Sequence, residues 1–65
     1  MKTEIDYSKK IKEYREVRLL TQEELADKLG VSFATVNRWE NGLHEPTMKM
    51  KRKLRVLFSR AGILH

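Results

Sequence analysis

Residues 21–42, TQEELADKLGVSFATVNRWENG, carry the signals that decide the fold. Thr21 can accept a hydrogen bond from the backbone N–H of Glu24, whose carboxylate can reach back to the N–H of Thr21, an arrangement called a capping box. Gly30 can end this first helix in the left-handed conformation that helix ends commonly require. Ser32 is a favoured N-cap for a second helix. The stretch therefore predicts two short helices in immediate succession.

The connection between these two helices predicts a sharp turn with close packing. Only Val31 separates Gly30 from Ser32, so the second helix must leave the first at once. Ala26 is small enough for the helices to approach each other, and the stiff, β-branched Val36 can fill the gap between them. Together with the caps, this pattern predicts a helix-turn-helix whose second helix ends at the C-cap pair at positions 41 and 42.

Two further helices flank this unit. Ile11, Tyr14 and Val17 recur at helical spacing within about Ser8 to Arg18. Thr47 is an N-cap candidate for a last helix that runs to about residue 60, with an apolar stripe formed by Met50, Leu54, Leu57 and Phe58. Alternating strand patterns are absent. We expect an all-α fold, a compact four-to-five-helix bundle that forms one domain over residues 1–65, with residues 1–6 as a flexible N-terminus.

The composition limits the class of protein. A chain of 65 residues forms one small domain, and it contains no cysteine for disulfides or thiolate zinc sites. No apolar run approaches the length of a membrane span, and residues 1–6 lack the apolar segment of a signal peptide. We therefore expect a cytoplasmic protein.

The charge favours a polyanionic partner. The chain has 14 Lys and Arg residues against 9 Asp and Glu residues, which gives a net charge of +5. Between Pro46 and His65 every charged side chain is basic: Lys49, Lys51, Arg52, Lys53, Arg55 and Arg60. Such a run either contacts nucleic acid phosphates or simply solvates a helix face.

The stretch from Leu20 to Gly42 resembles the phage-repressor and Cro type of helix-turn-helix regulators, the XRE family. The likeness covers about Ile11 to Pro46. It implies a lambda-repressor-like bundle that binds double-stranded DNA sequence-specifically and regulates transcription. In such a bundle the third helix enters the major groove and the second lies across the backbone.

The resemblance assigns base reading to six residues at the start of the third helix: Ser32, Phe33, Ala34, Thr35, Asn37 and Arg38. Arg38 can pair with guanine O6 and N7, and Asn37 can pair with adenine. Phe33 and Ala34 could meet thymine methyl groups. Phe33 is either a core aromatic or an exposed reader. We favour exposure because Val36 and Trp39 already supply the core stripe, and because the family usually has a polar residue at this position.

The resemblance also implies phosphate contacts. Thr21 and Gln22 begin the second helix, where free N–H groups and the helix dipole favour an anion, although Thr21 could act as a cap alone. Asn41 follows the third helix and could both end it and contact a phosphate. Lys51 and Arg52 are further candidates on the fourth helix, where they could contact phosphates or only face solvent.

Other positions suggest structural roles or departures from the family. Arg15 and Glu40 match positions that pair with each other in the repressors, so we expect a structural ion pair. Leu19 stands where many relatives have glycine. Lys51 and Arg55 replace residues that are usually aliphatic or small, and the family's fifth helix is truncated here.

The sequence leaves rival functions and partners to be weighed. We find no nucleophile with a base, no carboxylate pair and no metal cluster, so we expect no enzyme, no cofactor, no metal and no small-molecule ligand. His44 and His65 look like isolated surface residues. The main alternative function is a protein-interaction module, such as an antitoxin. A weaker alternative is that the basic last helix binds a membrane surface, but we expect no membrane partner.

One domain of this size covers roughly a half-site of DNA. We therefore expect a homodimer on a pseudo-palindromic operator. Ile63 and Leu64 could form the dimer contact or close the core of the monomer, and the sequence does not choose between them.

Overall fold

The computed structural model describes residues 5–64, which form four α-helices with short connections. They are α1 (Tyr7–Val17), α2 (Gln22–Leu29), α3 (Phe33–Glu40) and α4 (Met48–Arg60). No strand occurs in the described range. Each helix follows a side chain that accepts a hydrogen bond from its first turn, supplied by Asp6, Thr21, Ser32 and Thr47 in that order. The all-α prediction is confirmed, and α1 lies one residue earlier than expected.

The turn between α2 and α3 has the predicted geometry. Gly30 ends α2 with φ 74° and ψ 32°, in the left-handed region that suits glycine. The N–H of Gly30 donates to the carbonyl of Asp27 at 3.2 Å, and the N–H of Val31 donates to that of Ala26 at 3.0 Å. These bonds satisfy carbonyls at the end of α2, so the chain can reverse and begin α3 two residues later.

The core draws on all four helices. Its buried members are Ile11, Tyr14, Leu25, Ala26, Leu29, Val36, Trp39, Leu54, Phe58 and Ile63. α3 packs against both α1 and α2, and α1 also packs against α4. Ala26 and Val36 are both buried, as the close approach of α2 and α3 requires. The second helix of the helix-turn-helix, α3, is therefore held from two sides.

The apolar stripe of α4 meets α1 through aromatic rings. Leu54 and Phe58 are fully buried, and Met50 and Leu57 pack partly against the same core. The Phe58 ring centroid lies 6.2 Å from that of Tyr7 and 6.1 Å from that of Tyr14, within the range of favourable tilted ring pairs. The predicted stripe is correct in all four of its positions.

The segment after α4 folds back onto the monomer. The N–H of Ile63 donates to the carbonyl of Phe58 at 3.0 Å, and the Ile63 side chain is 6% exposed. Lys10 Nζ donates to the Ile63 carbonyl at 2.7 Å, and Leu64 packs partly against the core. The structure thus assigns Ile63 to the monomer core, and residues 61 and 62 form a turn in place of the expected fifth helix.

The N-terminus is only partly described. Asp6 caps α1 and Ile5 packs partly against the core, so the end of the segment expected to be flexible is attached to the bundle. Residues 1–4 of that segment lie outside the described residues, as does His65. In the described part of the chain, no helix has the length and apolar character needed to cross a membrane.

Candidate nucleic-acid interface

The buried side of α3 fixes which side faces outward. Val36 and Trp39 point into the core, which places the other side of this eight-residue helix at the surface. Four of the six residues expected to read bases are exposed, namely Ser32, Phe33, Ala34 and Arg38. The other two, Thr35 and Asn37, are half-buried. The structure therefore places all six at α3 and leaves four of them exposed.

Phe33 is an exposed aromatic residue. Its residue surface is 49% accessible, so it is not the core aromatic that was the alternative interpretation. Val36 and Trp39 fill the core in its place. Phe33 is the first residue of α3, at the end of the helix from which this kind of motif contacts base edges.

The hydroxyl groups of Ser32 and Thr35 are bonded to each other. Their oxygens lie 2.9 Å apart, and Ser32 Oγ also accepts from the Thr35 backbone N–H at 3.1 Å. The Ser32 hydroxyl thereby satisfies one of the free N–H groups at the start of α3. In this structure the Ser32 hydroxyl caps α3, and the Thr35 hydroxyl is bonded to that of Ser32.

A chain of polar side chains runs from α1 to the end of α3. Arg15 Nε donates to Glu40 Oε2 at 2.8 Å and its Nη2 donates to Oε1 at 3.0 Å, which makes the expected pair bidentate. Gln22 Nε2 donates to the same carboxylate at 3.0 Å. Asn37 Nδ2 donates to Gln22 Oε1 at 3.2 Å, and Asn41 Nδ2 donates to Asn37 Oδ1 at 3.1 Å.

The hydrogen bonds between Gln22 and Asn37 and between Asn37 and Asn41 were not predicted from the sequence. Asn37 and Asn41 are four residues apart on one helix, a spacing at which side chains meet, so that link was accessible from the sequence. The link between Gln22 and Asn37 joins two helices and depends on their packing angle. It connects a residue expected to contact phosphate with one expected to contact a base.

The ion pair of this chain is the main electrostatic feature of the interior. The Glu40 side chain is 5% exposed. Burial raises the pKa of Glu40, but hydrogen bonds from Arg15 and Gln22, with the positive charge of Arg15, outweigh burial and leave the pKa below its usual value. The hydrogen bond to Glu40 raises the pKa of Arg15 in turn. Both groups are therefore charged at neutral pH.

The start of α2 was expected to bind a phosphate, but the side chains of Thr21 and Gln22 already have hydrogen-bond partners within the protein. Thr21 Oγ1 accepts from the Glu24 N–H at 3.1 Å, and Glu24 Oε1 accepts from the Thr21 N–H at 2.8 Å, so the capping box is complete. The Gln22 side chain is held by Glu40 and Asn37 rather than projecting freely. What this end of the helix offers an anion is its dipole and its remaining N–H groups.

The two basic candidates on α4 have different surroundings. Lys51 is half-buried, with Nζ 3.0 Å from Glu45 Oε1 and 5.3 Å from the centroid of the Tyr7 ring. Arg52 is exposed. Lys51 thus links the α3–α4 loop to α1, whereas Arg52 is directed to solvent with the other basic residues of the outer side of α4.

Within residues 5–64, no group of three or more His, Cys, Asp or Glu side chains is arranged to hold a metal ion. His44 is exposed, in the loop between α3 and α4.

Comparison with known proteins identifies the family. A family model described as helix-turn-helix matches residues 11–57. An HTH-type transcriptional regulator of Methanocaldococcus jannaschii is 45% identical over 49 residues, which cover 75% of this chain and 74% of the relative. The HTH-type transcriptional activator BcrR of Enterococcus faecalis is 33% identical over 55 residues, which cover 85% of this chain and 27% of BcrR. No solved structure matches the chain significantly. The chain therefore belongs to the helix-turn-helix family of transcriptional regulators, which are DNA-binding proteins and not enzymes.

Proposed function

We propose that this chain binds double-stranded DNA sequence-specifically, with residues 32–41 in the major groove, and regulates transcription. The observation that supports this most directly is the outward side of α3, where Phe33, Ala34 and Arg38 are exposed on a helix held from two sides. An α-helix fits the major groove of DNA. The packing of α3 against α1 and α2 holds its exposed side chains in a fixed position relative to the bases. Since DNA is the partner, a cytoplasmic location is part of the same proposal.

Base recognition is assigned to the six residues Ser32, Phe33, Ala34, Thr35, Asn37 and Arg38. Arg38 carries most of the discrimination in this proposal. Its guanidinium is exposed, and none of the described residues forms a hydrogen bond or ion pair with its side chain. A planar guanidinium can donate two parallel hydrogen bonds to guanine O6 and N7, which is worth roughly 1–3 kcal/mol of discrimination.

Phosphate binding in this proposal uses both ends of the helix-turn-helix and α4. The candidates are the start of α2 at Thr21 and Gln22, Asn41, and the α4 residues Lys51 and Arg52. Charge supports a role for α4, because residues 21–42 contain two basic and four acidic side chains, whereas α4 contains six basic side chains and no acidic one. The attraction to the polyanion therefore has to come largely from α4.

The proposal includes a homodimer on a pseudo-palindromic operator. A single α3 of eight residues reads only a half-site, and two copies related by a twofold axis would read half-sites about 34 Å apart. Ile63 does not supply the dimer contact in this structure, because it is buried within one chain. We therefore expect the dimer contact to use residues other than Ile63.

Selection of binding sites from random duplexes tests the reading surface. We expect the parent chain to enrich a defined half-site, and Arg38→Ala to lose preference at one guanine position. Arg38→Lys is the matched control because it keeps the charge but not the planar fork. Loss of preference in both variants supports base reading by Arg38. Unchanged preference in Arg38→Ala would contradict it, and equally weaker binding of Arg38→Ala to all duplexes, restored in Arg38→Lys, would indicate a phosphate contact instead.

Salt dependence separates this function from the protein-interaction alternative. Binding of the selected duplex should weaken steeply as salt rises, since phosphate contacts release counterions. Arg52→Gln should weaken binding to all duplexes by a similar factor and reduce the slope of log K against log salt by about 1. Binding to DNA that is weak at all salt concentrations would favour the protein-interaction module.

A further inference from the structure

We infer that the base-reading surface recognises the 5-methyl group of thymine next to a guanine, through Phe33 and Ala34 beside Arg38, and not the polar edges of several bases. This inference rests on the proposed function and narrows it. It follows from which side chains at the start of α3 already have partners within the protein and which do not.

Two of the polar candidates, Ser32 and Thr35, already have hydrogen-bond partners at the start of α3. The hydroxyl oxygens of Ser32 and Thr35 are 2.9 Å apart, and Ser32 Oγ accepts from the backbone N–H of Thr35. Turning either hydroxyl toward a base would break the bond between them, and for Ser32 it would also leave a helix N–H without its partner. Their contribution to base selection should therefore be small.

The third polar candidate is committed to the interior chain of hydrogen bonds. Asn37 Nδ2 donates to Gln22 at 3.2 Å, and Asn37 Oδ1 accepts from Asn41 at 3.1 Å. Reading adenine requires the amide oxygen and the amide nitrogen to face N6 and N7 of the same base. Both atoms of Asn37 point elsewhere, and Gln22 is itself anchored to the buried Glu40 carboxylate. Asn37 therefore positions α3 and does not read adenine.

Three side chains remain available at this surface. Phe33 and Ala34 are exposed and have no polar atom beyond the backbone, and Arg38 is exposed with no side-chain partner among the described residues. In the major groove the one apolar group on a base pair edge is the thymine methyl group, and the strongest partner for arginine is guanine. The chemistry of this surface therefore matches thymine and guanine.

The spacing along α3 sets the distance between these two bases. Ala34 and Arg38 are four residues apart, so they lie on the same side of the helix about 6 Å apart along its axis. Base pairs rise by about 3.4 Å each. The thymine and the guanine should therefore lie within about two base pairs of each other in the half-site.

Replacement of thymine by deoxyuridine tests the inference, because it removes the methyl group and keeps the base pair. The probe is the duplex selected by the parent chain, with each thymine replaced singly on either strand, and the readout is the dissociation constant at fixed salt. We expect one or two positions where the parent binds about fourfold more weakly, the factor expected for one buried methyl group. Phe33→Ser should bind the thymine and deoxyuridine duplexes equally at such a position.

Two variants serve as controls. Val56→Ser removes an apolar side chain of similar exposure, 50%, from the outer side of α4, and it should keep the fourfold discrimination of the parent. Asn37→Ala should keep the base preference of the parent in selection, although its melting temperature should fall. Thermal unfolding of Phe33→Ser should match that of the parent, since Phe33 lies outside the core.

The outcomes separate this inference from the proposed function. If no deoxyuridine position weakens binding by the parent, or if Phe33→Ser keeps the discrimination, the thymine inference is wrong while selection of a defined duplex still supports DNA binding. Loss of preference for an A·T pair in Asn37→Ala would also overturn it. A failure to select any preferred duplex would overturn both.

Discussion

At the scale of single residues, Leu19 is the most unusual position in the described chain. Its φ is 58°, and it is the one residue other than glycine with a positive φ in residues 5–64. Its residue surface is 89% accessible, so no packing compensates for the conformation. The N–H of Leu20 donates to the Arg15 carbonyl at 2.8 Å, which closes the end of α1 in the way that glycine commonly does at a helix end.

Replacing Leu19 with glycine should therefore stabilise the domain. The left-handed conformation costs a residue with a Cβ atom roughly 1–2 kcal/mol, and glycine loses part of that gain through its greater freedom in the unfolded chain. We expect Leu19→Gly to raise the free energy of unfolding by about 0.5–1 kcal/mol in urea titrations. Leu19→Ala keeps the Cβ atom and should change it little. A Leu19→Gly variant no more stable than Leu19→Ala would refute the idea that the backbone is strained.

At the scale of secondary-structure elements, the orientation of α3 depends on packing and on one polar chain. Val36 and Trp39 anchor the buried side, while Glu40 receives Arg15 from α1 and Gln22 from α2. The pair between Arg15 and Glu40 could be expected from the resemblance to repressors, and the structure shows it. The extension to Asn37 could not, because it requires the crossing of α2 and α3 in space.

Removing one partner of this pair should destabilise the fold. Arg15→Ala leaves the Glu40 carboxylate, only 5% exposed, with Gln22 as its remaining side-chain donor, and we expect a loss of about 3 kcal/mol in the free energy of unfolding. The double variant Arg15→Met with Glu40→Gln, which removes both charges, should recover much of this loss. Equal thermal stability of Arg15→Ala and the parent would rule out a structural role for the pair.

The same pair predicts a loss of stability in acid. Folding lowers the pKa of Glu40, so ionised Glu40 stabilises the folded state. This stabilisation is fully present above the pKa that Glu40 has in the unfolded chain, and it is lost as the pH falls through the lower pKa of Glu40 in the folded protein. The Asp6 carboxylate acts in the same direction, because hydrogen bonds from Ser8 and Lys9 lower its pKa.

Unfolding in urea between pH 7 and pH 3 measures this effect. Stability should fall below about pH 5, where carboxylates of ordinary pKa begin to protonate. The Glu40→Gln variant should be less stable than the parent at pH 7, and its free energy of unfolding should fall less steeply as the pH is lowered. The control variant Glu13→Gln, at an exposed position on α1, should show the same pH dependence as the parent. A parent and a Glu40→Gln variant with parallel pH profiles would show that Glu40 does not carry the dependence.

At the scale of the whole molecule, a small chain closes its core with its own C-terminal segment. Ile63 fills the space beside α1 and α4, and its carbonyl is held by Lys10. The charged side chains are also distributed unevenly along the chain. The basic excess lies on α4, whereas the helix-turn-helix at residues 21–42 has more acidic than basic side chains. Core closure and attraction to a polyanion thus depend on the part of the chain that follows the helix-turn-helix.

Truncating Ile63 should weaken the monomer rather than an assembly. Ile63→Ala removes a side chain that is 6% exposed, which typically costs about 2–4 kcal/mol because a cavity remains. Leu64→Ala, at a half-buried position, is the matched control and should cost less. Melting temperature as a function of protein concentration provides the check. A loss that disappears at high concentration would place Ile63 in a dimer interface and contradict the structure.

The sequence by itself determined the helices, the caps at Thr21, Ser32 and Thr47, and the turn at Gly30, because these depend on residues within a few positions of one another. The resemblance of residues 20–42 then indicated the family and predicted α3 as the helix that reads DNA bases. The tertiary structure alone decided that Ile63 closes the monomer and that Asn37 is held by Gln22, and it confirmed the expected exposure of Phe33. These outcomes depend on how separate helices cross and on which polar groups meet there. Local spacing along the chain does not contain that information.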